Sequence, residues 1–146
     1  MQITLRNREI VKPAVPTPHH KMWMSNLDLV MPCIHTPSVY FYRPNQSPDF
    51  FDAGKLRTAL AETLVPFYPL AGRLAVDSDG RTEIDCNDEG VLFVQAEATE
   101  TTIDDLGDFT PTKNLNKLIP SVARGDASLP FPCSCYRYVQ SKQQIR

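Results

Sequence analysis

Prolines constrain this chain more than any other feature of its sequence. Thirteen prolines stand against six glycines in 146 residues. Proline breaks the interior of helices and removes a hydrogen-bond donor from central strands. We therefore expect short helices and strands that are joined by stiff turns. A length of 146 residues is typical of one domain and is sufficient to bury a core.

The charge balance argues against a general nucleic-acid binder. Lys and Arg total 15, and Asp and Glu total 17, which gives a net charge of −2, whereas nucleic-acid-binding domains are usually basic. No apolar run approaches the ~18 residues of a membrane helix, and residues 1–21 contain no apolar signal segment. We expect a cytoplasmic protein without nucleic-acid or membrane partners.

The cysteines indicate neither a disulfide framework nor a zinc site. Four are present, and Cys133 and Cys135 form a pair without the second pair that structural zinc normally needs. Residues 77–108 hold eleven acidic residues and one basic residue, which is typical of a solvated face. We expect no metal and no tightly bound cofactor.

The residue pattern predicts an α+β fold with a mixed or antiparallel sheet and a packed helix. Asp52 is the predicted N-cap of a helix that ends near Leu64, before Pro66, and one face of this helix carries an apolar stripe. Arg73 follows the helix, where a guanidinium can bind turn carbonyls or acids, so we interpret it as structural. Strands are predicted at residues 2–12, 39–43, 73–76, 81–86 and 91–98, and the third and fourth form a hairpin.

His35 lies with Thr36, Ser38 and Tyr40 around a proline-punctuated loop that enters a predicted strand. If Ser38 and Tyr40 are both in that strand, they project to the same face because they are two residues apart. An imidazole, two hydroxyls and a phenol on one edge can line a polar pocket wall, and ordinary loop hydrogen bonding is the alternative. His19 and His20 lie in a proline-rich stretch, where we expect exposed, inert imidazoles.

The common enzyme motifs are missing from the sequence. GxxxxGK[ST], GxGxxG, GxSxG and HExxH do not occur. Interpretations as a P-loop nucleotide binder, a Rossmann enzyme, an α/β-hydrolase or a zincin therefore lose their usual support.

An ordered series of segments resembles the start of a plant BAHD acyltransferase, and in particular of a shikimate/quinate hydroxycinnamoyltransferase. The resemblance extends over about residues 2–122, which is most of the chain. The segments of the series are Ser25–Asp28, Ile34–Tyr42, Phe50–Asp52, Leu56–Ala61, Leu64–Leu74, Ile84–Asn87, Glu89–Val94 and Leu118–Pro120.

The resemblance implies the amino-terminal part of a fold with two chloramphenicol-acetyltransferase-like domains and an active site between them. It also implies transfer of a hydroxycinnamoyl group from a coenzyme A thioester to a shikimate- or quinate-type hydroxyl. Acyl-CoA is then a co-substrate and not a resident cofactor. By the same resemblance, His35, Ser38 and Tyr40 match positions that line the acyl-acceptor channel.

The sequence departs from the family pattern at the catalytic base. The family's general base is the histidine of an HxxxD motif, but the residues four positions after the three histidines are Trp23, Met24 and Val39, and the DFGWG motif is also missing. We expect a partial domain at residues 1–122, followed by a divergent, disordered tail at 123–146. The predicted function is that of an acyltransferase fragment without catalytic residues of its own. A non-catalytic short isoform that binds a full-length partner is the alternative.

Overall fold

The computed structural model describes residues 1–30, 37–99, 101–110, 113–119, 131–132 and 135–141. Its elements are short, as the prolines predict. The strands are β1 (Gln2–Val11), β2 (His20–Trp23), β3 (Arg73–Val76), β4 (Thr82–Cys86), β5 (Val91–Thr99), β6 (Phe131–Pro132) and β7 (Cys135–Ser141), and the α-helices are α1 (Ala53–Thr63) and α2 (Lys113–Asn116). Single 3-10 turns lie at Asp28–Val30, Tyr68–Ala71 and Asp104–Leu106.

The strands form two sheets. The first has the order β1-β5-β7, in which β5 is antiparallel to β1 and parallel to β7. The second has the order β2-β4-β3-β6 and is antiparallel. The predicted α+β fold with a mixed sheet and a packed helix is therefore confirmed. β5 is central and its residues 91–94, 96 and 98 are buried, as expected for a strand with neighbours on both edges.

The predicted hairpin is confirmed as β3 and β4. Leu74 pairs with Ile84 and Val76 with Thr82, so the apolar positions share a face. In the turn, a side-chain oxygen of Asp77 accepts hydrogen bonds from the backbone N–H of Asp79 at 2.9 Å and of Arg81 at 2.8 Å. These bonds close the turn locally, which is why turn chemistry in the sequence was sufficient to predict it.

Helix α1 begins and ends where its signals indicate. Asp52 accepts a hydrogen bond from the Lys55 N–H at 2.8 Å, which satisfies one free donor of the first turn. Leu64, immediately after the helix, is 1% exposed. It lies in the core, and the apolar stripe of α1 packs against that core while remaining half-buried. The core residues are Val11, Leu64, Ala71, Val91 and Phe93.

The prediction of a strand at residues 39–43 is wrong. This segment belongs to neither sheet. Its β-branched and aromatic residues favour extended backbone, but a strand also needs a partner edge, which sequence preference does not supply.

Within the range of the expected disordered tail, residues 135–141 form β7, which pairs in parallel with β5 from Leu92–Cys135 to Ala98–Ser141. Arg137 also donates hydrogen bonds to the carbonyl oxygens of Lys117 and Ile119, at 2.9 and 3.0 Å. The free edge of β5 accepts a strand with little apolar pattern of its own, because main-chain hydrogen bonds do not depend on side-chain identity. The character of the tail as a whole stays a prediction, and so does the boundary at residue 122.

Candidate functional site

Two of the three predicted substrate contacts lie in residues 37–43, which we call the 37–43 segment. Ser38 and Tyr40 are both exposed, and Tyr40 is 76% exposed. His35 lies outside the described residues. The structure thus presents a hydroxyl and a phenol from one segment to solvent.

Side-chain contacts attach the 37–43 segment to two other parts of the chain. The rings of Phe41 and Phe109 have centroids 4.6 Å apart, and a nitrogen of Arg43 lies 2.7 Å from Asp104 Oδ1. Between them in sequence, the Tyr42 ring lies 5.1 Å from that of Phe51. Three successive residues of the segment therefore contact three different partners.

The aromatic contacts of the segment contribute more to its stability than the Arg43–Asp104 ion pair does. Arg43 and Asp104 are 71% and 64% exposed in their side chains, and such surface pairs contribute about 0–1 kcal/mol. An aromatic pair contributes about 0.5–1.5 kcal/mol in addition to the area that it buries. The position of the segment therefore depends mainly on Phe109 and Phe51.

Both phenylalanine partners have a strained backbone. Phe51 has φ 55° and Phe109 has φ 60°, in the left-handed region that bulky side chains rarely adopt. Sequence reasoning missed both residues. Phe51 lies in the Phe50–Asp52 segment of the family resemblance, but nothing in the sequence connects either phenylalanine with residues 37–43. Only the ring contacts show that connection.

Arg73 is structural, as predicted. Its Nη1 donates to the carbonyl oxygens of Gly72 at 2.8 Å and Gly90 at 2.7 Å, and its Nε lies 2.8 Å from Glu89 Oε2. The residue is 8% exposed. Arg73 therefore joins the end of the 68–71 turn to the turn before β5. Because its Nη1 already donates to two carbonyl oxygens, this nitrogen is not available to bind a substrate.

Asp88 anchors the proline-rich segment that joins β1 to β2. It accepts hydrogen bonds from the Thr17 N–H at 3.1 Å and from the Thr17 hydroxyl, and His19 Nε2 lies 3.0 Å from its Oδ2. Burial raises the pKa of the Asp88 carboxyl, but the bonds from Thr17 and His19 outweigh it and leave the pKa below its usual value. His19 is exposed, as expected, yet it contacts this carboxylate.

Among the described residues, the Cys86 thiol and a cleft beside α1 are two further places where chemistry could occur. Burial, together with Asp85 and Asp88, raises the pKa of the Cys86 thiol, which keeps it neutral and a poor nucleophile. A cleft of about 250 Å³ lies between β1 and α1, but Ser38 and Tyr40 do not line it. Its charged residues are two acids and two bases, which gives it no preference for an anionic ligand. These are Glu9, Lys12, Arg57 and Glu62.

The described parts of the chain contain neither a metal-binding cluster nor a membrane-spanning helix. Within those ranges, no three His, Cys, Asp or Glu side chains lie together as a metal-binding group. Among the same residues, no helix has both the length and the apolar character needed to cross a membrane.

Comparison with known proteins decides the family. A sequence model described as the transferase family matches residues 1–132. The chain belongs to this family, the BAHD acyltransferases. A hydroxycinnamoyltransferase from Narcissus pseudonarcissus is 59% identical over 133 residues, which are 90% of this chain and 30% of that protein. The shikimate O-hydroxycinnamoyltransferase of Nicotiana tabacum is 57% identical over 122 residues, which are 84% of this chain and 28% of that protein.

A solved BAHD structure confirms the fold. Vinorine synthase superposes with a TM-score of 0.66 over 97% of this chain and 35% of its own length, at 24% sequence identity. The described strands and helices thus correspond to about a third of a chloramphenicol-acetyltransferase-like BAHD structure. The chain spans about 30% of the length of the curated relatives that it matches.

Proposed function

We propose that this chain forms part of an acyl-CoA-dependent hydroxycinnamoyltransferase and that it has no transferase activity alone. The observation that carries the proposal is an identity of 57–59% to hydroxycinnamoyltransferases over 84–90% of the chain, combined with coverage of about 30% of their length. The donor class is a hydroxycinnamoyl-CoA thioester, and the acceptor class is a shikimate- or quinate-type hydroxyl. A cytoplasmic location and a place in phenylpropanoid chemistry belong to the same proposal, and the buried free thiol of Cys86 suits a reducing compartment.

The reaction sets what such a part can contribute. The acceptor hydroxyl attacks the thioester carbonyl, loses its proton to a general base, and the coenzyme A thiolate leaves. None of the three histidines of the chain begins an HxxxD motif. We therefore assign the chain a share of acceptor binding and not the proton transfer.

His35, Ser38 and Tyr40 are the proposed acceptor contacts. A polyol acceptor requires hydrogen-bonding groups, and the hydroxyls of Ser38 and Tyr40 both donate and accept. Their exposure leaves them accessible to a ligand or to a further part of the protein. The aromatic contacts of Phe41 and Tyr42 hold the backbone immediately after Tyr40.

The test has two arms. The purified 146-residue chain, given p-coumaroyl-CoA and shikimate, should form no ester above a control without protein. A chimera that joins residues 1–119 of this chain to the part of the tobacco relative that follows the matched region should form the ester. In that chimera, Tyr40→Phe and Ser38→Ala should raise the KM for shikimate about three- to tenfold, the effect of one lost hydrogen bond.

Tyr42→Phe is the matched control. This substitution removes a phenolic hydroxyl of the same kind at a position two residues from Tyr40, and it keeps the ring that contacts Phe51. Equal effects of Tyr40→Phe and Tyr42→Phe on KM would refute the acceptor contact. Ester formation by the isolated chain that His35→Ala abolishes would refute the proposed inactivity and identify His35 as a base.

The second candidate is a non-catalytic short isoform that binds a full-length partner. The exposure of several large apolar side chains favours it, because such surfaces mark protein contacts. Trp23, Leu27, Val30 and Val76 are 68–82% exposed. Co-purification of the tagged chain with a full-length hydroxycinnamoyltransferase, together with a change in that enzyme's rate, would support the isoform. A rate unchanged by excess chain would exclude it.

A further inference from the structure

We propose that Phe109 and Phe51 are positioning residues for acceptor binding, a role that rests on the proposed function of Ser38 and Tyr40. Neither ring belongs to the residues assigned to the acceptor. Each acts through an aromatic neighbour of Tyr40, since Phe109 contacts Phe41 and Phe51 contacts Tyr42.

The first reason is that no sheet fixes the path of the 37–43 segment. Residues in a β-ladder are held by main-chain hydrogen bonds in a regular register, whereas this segment pairs with none of the strands that the structure describes. Exposed segments with few backbone partners open locally at low free energy. The direction of Ser38 and Tyr40 then depends on the side chains that hold the segment.

The second reason is that the contacts come from two directions in the chain. Phe109 follows the 104–106 turn, and Phe51 immediately precedes the N-cap of α1. The rings contact adjacent residues of the segment, at centroid distances of 4.6 and 5.1 Å. Two separate parts of the chain therefore restrain the segment at successive residues.

The third reason is the backbone of the two rings. Both residues have positive φ, a conformation that Gly or Asn adopts more readily than Phe. Strained residues persist where the surrounding structure determines them, and they cluster at functional sites. At each of these positions the chain has a phenylalanine, whose ring makes the contact, although glycine or asparagine would adopt the backbone conformation with less strain.

Hydrogen exchange in the full 146-residue chain tests the positioning. Phe109→Asn removes the ring but suits the left-handed backbone, so a purely structural residue should tolerate it. We expect the melting temperature to stay the same or rise, while amide exchange at residues 38–43 becomes about tenfold faster. Phe109→Tyr retains the ring and should restore slow exchange. Phe67→Asn, at an exposed phenylalanine outside these contacts, is the matched control.

Three outcomes would overturn the proposal. They are unchanged exchange at residues 38–43 in Phe109→Asn, equal acceleration in Phe109→Asn and Phe67→Asn, and loss of protection in β1 and β5 as well as in the segment. Phe51→Asn should reproduce the local effect, and its failure to do so would remove Phe51 from the proposal.

The chimera separates this inference from the proposed function. If both hold, Phe109→Asn raises the KM for shikimate about tenfold and leaves the KM for p-coumaroyl-CoA and the kcat within about twofold. If exchange at residues 38–43 accelerates but the KM for shikimate does not change, the positioning of the segment stands and the acceptor contact by Ser38 and Tyr40 is refuted.

Discussion

Arg73 Nη1 donates a hydrogen bond to the carbonyl oxygen of Gly90 at 2.7 Å, across 17 positions of sequence. The same nitrogen binds the Gly72 carbonyl, and Gly90 N–H donates to the Ala71 carbonyl at 2.8 Å. The end of the 68–71 turn and the start of β5 are thereby joined in both directions. The Ala71-Gly72-Arg73 run is therefore a structural junction between that turn and β5.

Arg73→Ala should lower the free energy of unfolding by about 3 kcal/mol, because it leaves buried carbonyl oxygens without a donor and Glu89 without its cation. Arg73→Lys should recover only part of this loss, since an ammonium cannot reproduce the planar fork of donors. Urea unfolding measures both. Arg43→Ala is the control, because its ion pair is largely exposed, and it should cost less than about 1 kcal/mol. Equal midpoints for Arg73→Ala and Arg43→Ala would contradict the junction.

Gly90→Ala should destabilise the chain by more than Gly80→Ala. Both glycines have positive φ, 89° and 79°, so an alanine costs about 1–2 kcal/mol in backbone strain at either position. At Gly90 a Cβ would also approach the Val11 carbonyl oxygen to 2.5 Å, whereas at Gly80 it meets nothing within 4 Å. Thermal melts should show a clearly larger shift for Gly90→Ala. Equal shifts would mean that β1 can move away from the turn.

Asp88 should make stability depend on acid pH. Because its pKa in the folded protein lies below the ordinary 3.8, the unfolded chain binds more protons at this carboxyl. Its stabilisation is therefore present above about pH 4 and is lost as the pH falls through the lower, folded-state pKa. Asp88→Asn keeps a residue that tolerates the observed φ of 55°.

Urea midpoints measured from pH 2.5 to pH 7 check this dependence. At pH 7, Asp88→Asn should unfold at a lower urea concentration than the unmodified chain. Towards pH 2.5, the difference between the two midpoints should become small. A constant difference between the two proteins across the range would contradict the role of the ionised carboxylate.

The isolated chain should bind an apolar dye, melt broadly and associate at micromolar concentration. Trp23, Leu27, Val30 and Val76 are 68–82% exposed, and burying each side chain of this kind contributes roughly 1.5–3 kcal/mol. Leaving several uncovered removes much of the ~5–15 kcal/mol that stabilises a typical domain. Dye fluorescence, calorimetry and sedimentation check the three properties. A sharp two-state transition of a monomer that binds no dye would show that the chain completes its own core.

The local elements could be read from the sequence because their determinants lie within a few residues. Asp52 caps the helix through an N–H three residues on, and Asp77 closes the hairpin turn through residues 79 and 81. The apolar stripe, the turn residues and the alternating strands predicted α1, the β3–β4 hairpin, β1 and β5. Ordered motifs also predicted the family, since many short segments in one order are unlikely to coincide by chance.

The candidate site depended on contacts that no local pattern encodes. Residues 39–43 have the composition of a strand, but they lack a partner edge, while residues 135–141 lack the pattern and pair with β5. The contacts of Thr17 with Asp88 and of Phe41 with Phe109 join residues that are distant in sequence and lie close together only in the folded chain.

By itself, the sequence determined α1 and its cap, the β3–β4 hairpin with its turn, and the family, because each depends on neighbouring residues or on their order. Only the tertiary structure decided which edge accepts a strand, which carbonyls Arg73 satisfies and which rings hold the segment that carries Ser38 and Tyr40. The physical reason is that hydrogen bonds and ring contacts between distant residues depend on where the backbone brings them, and the same residue types are compatible with many such pairings.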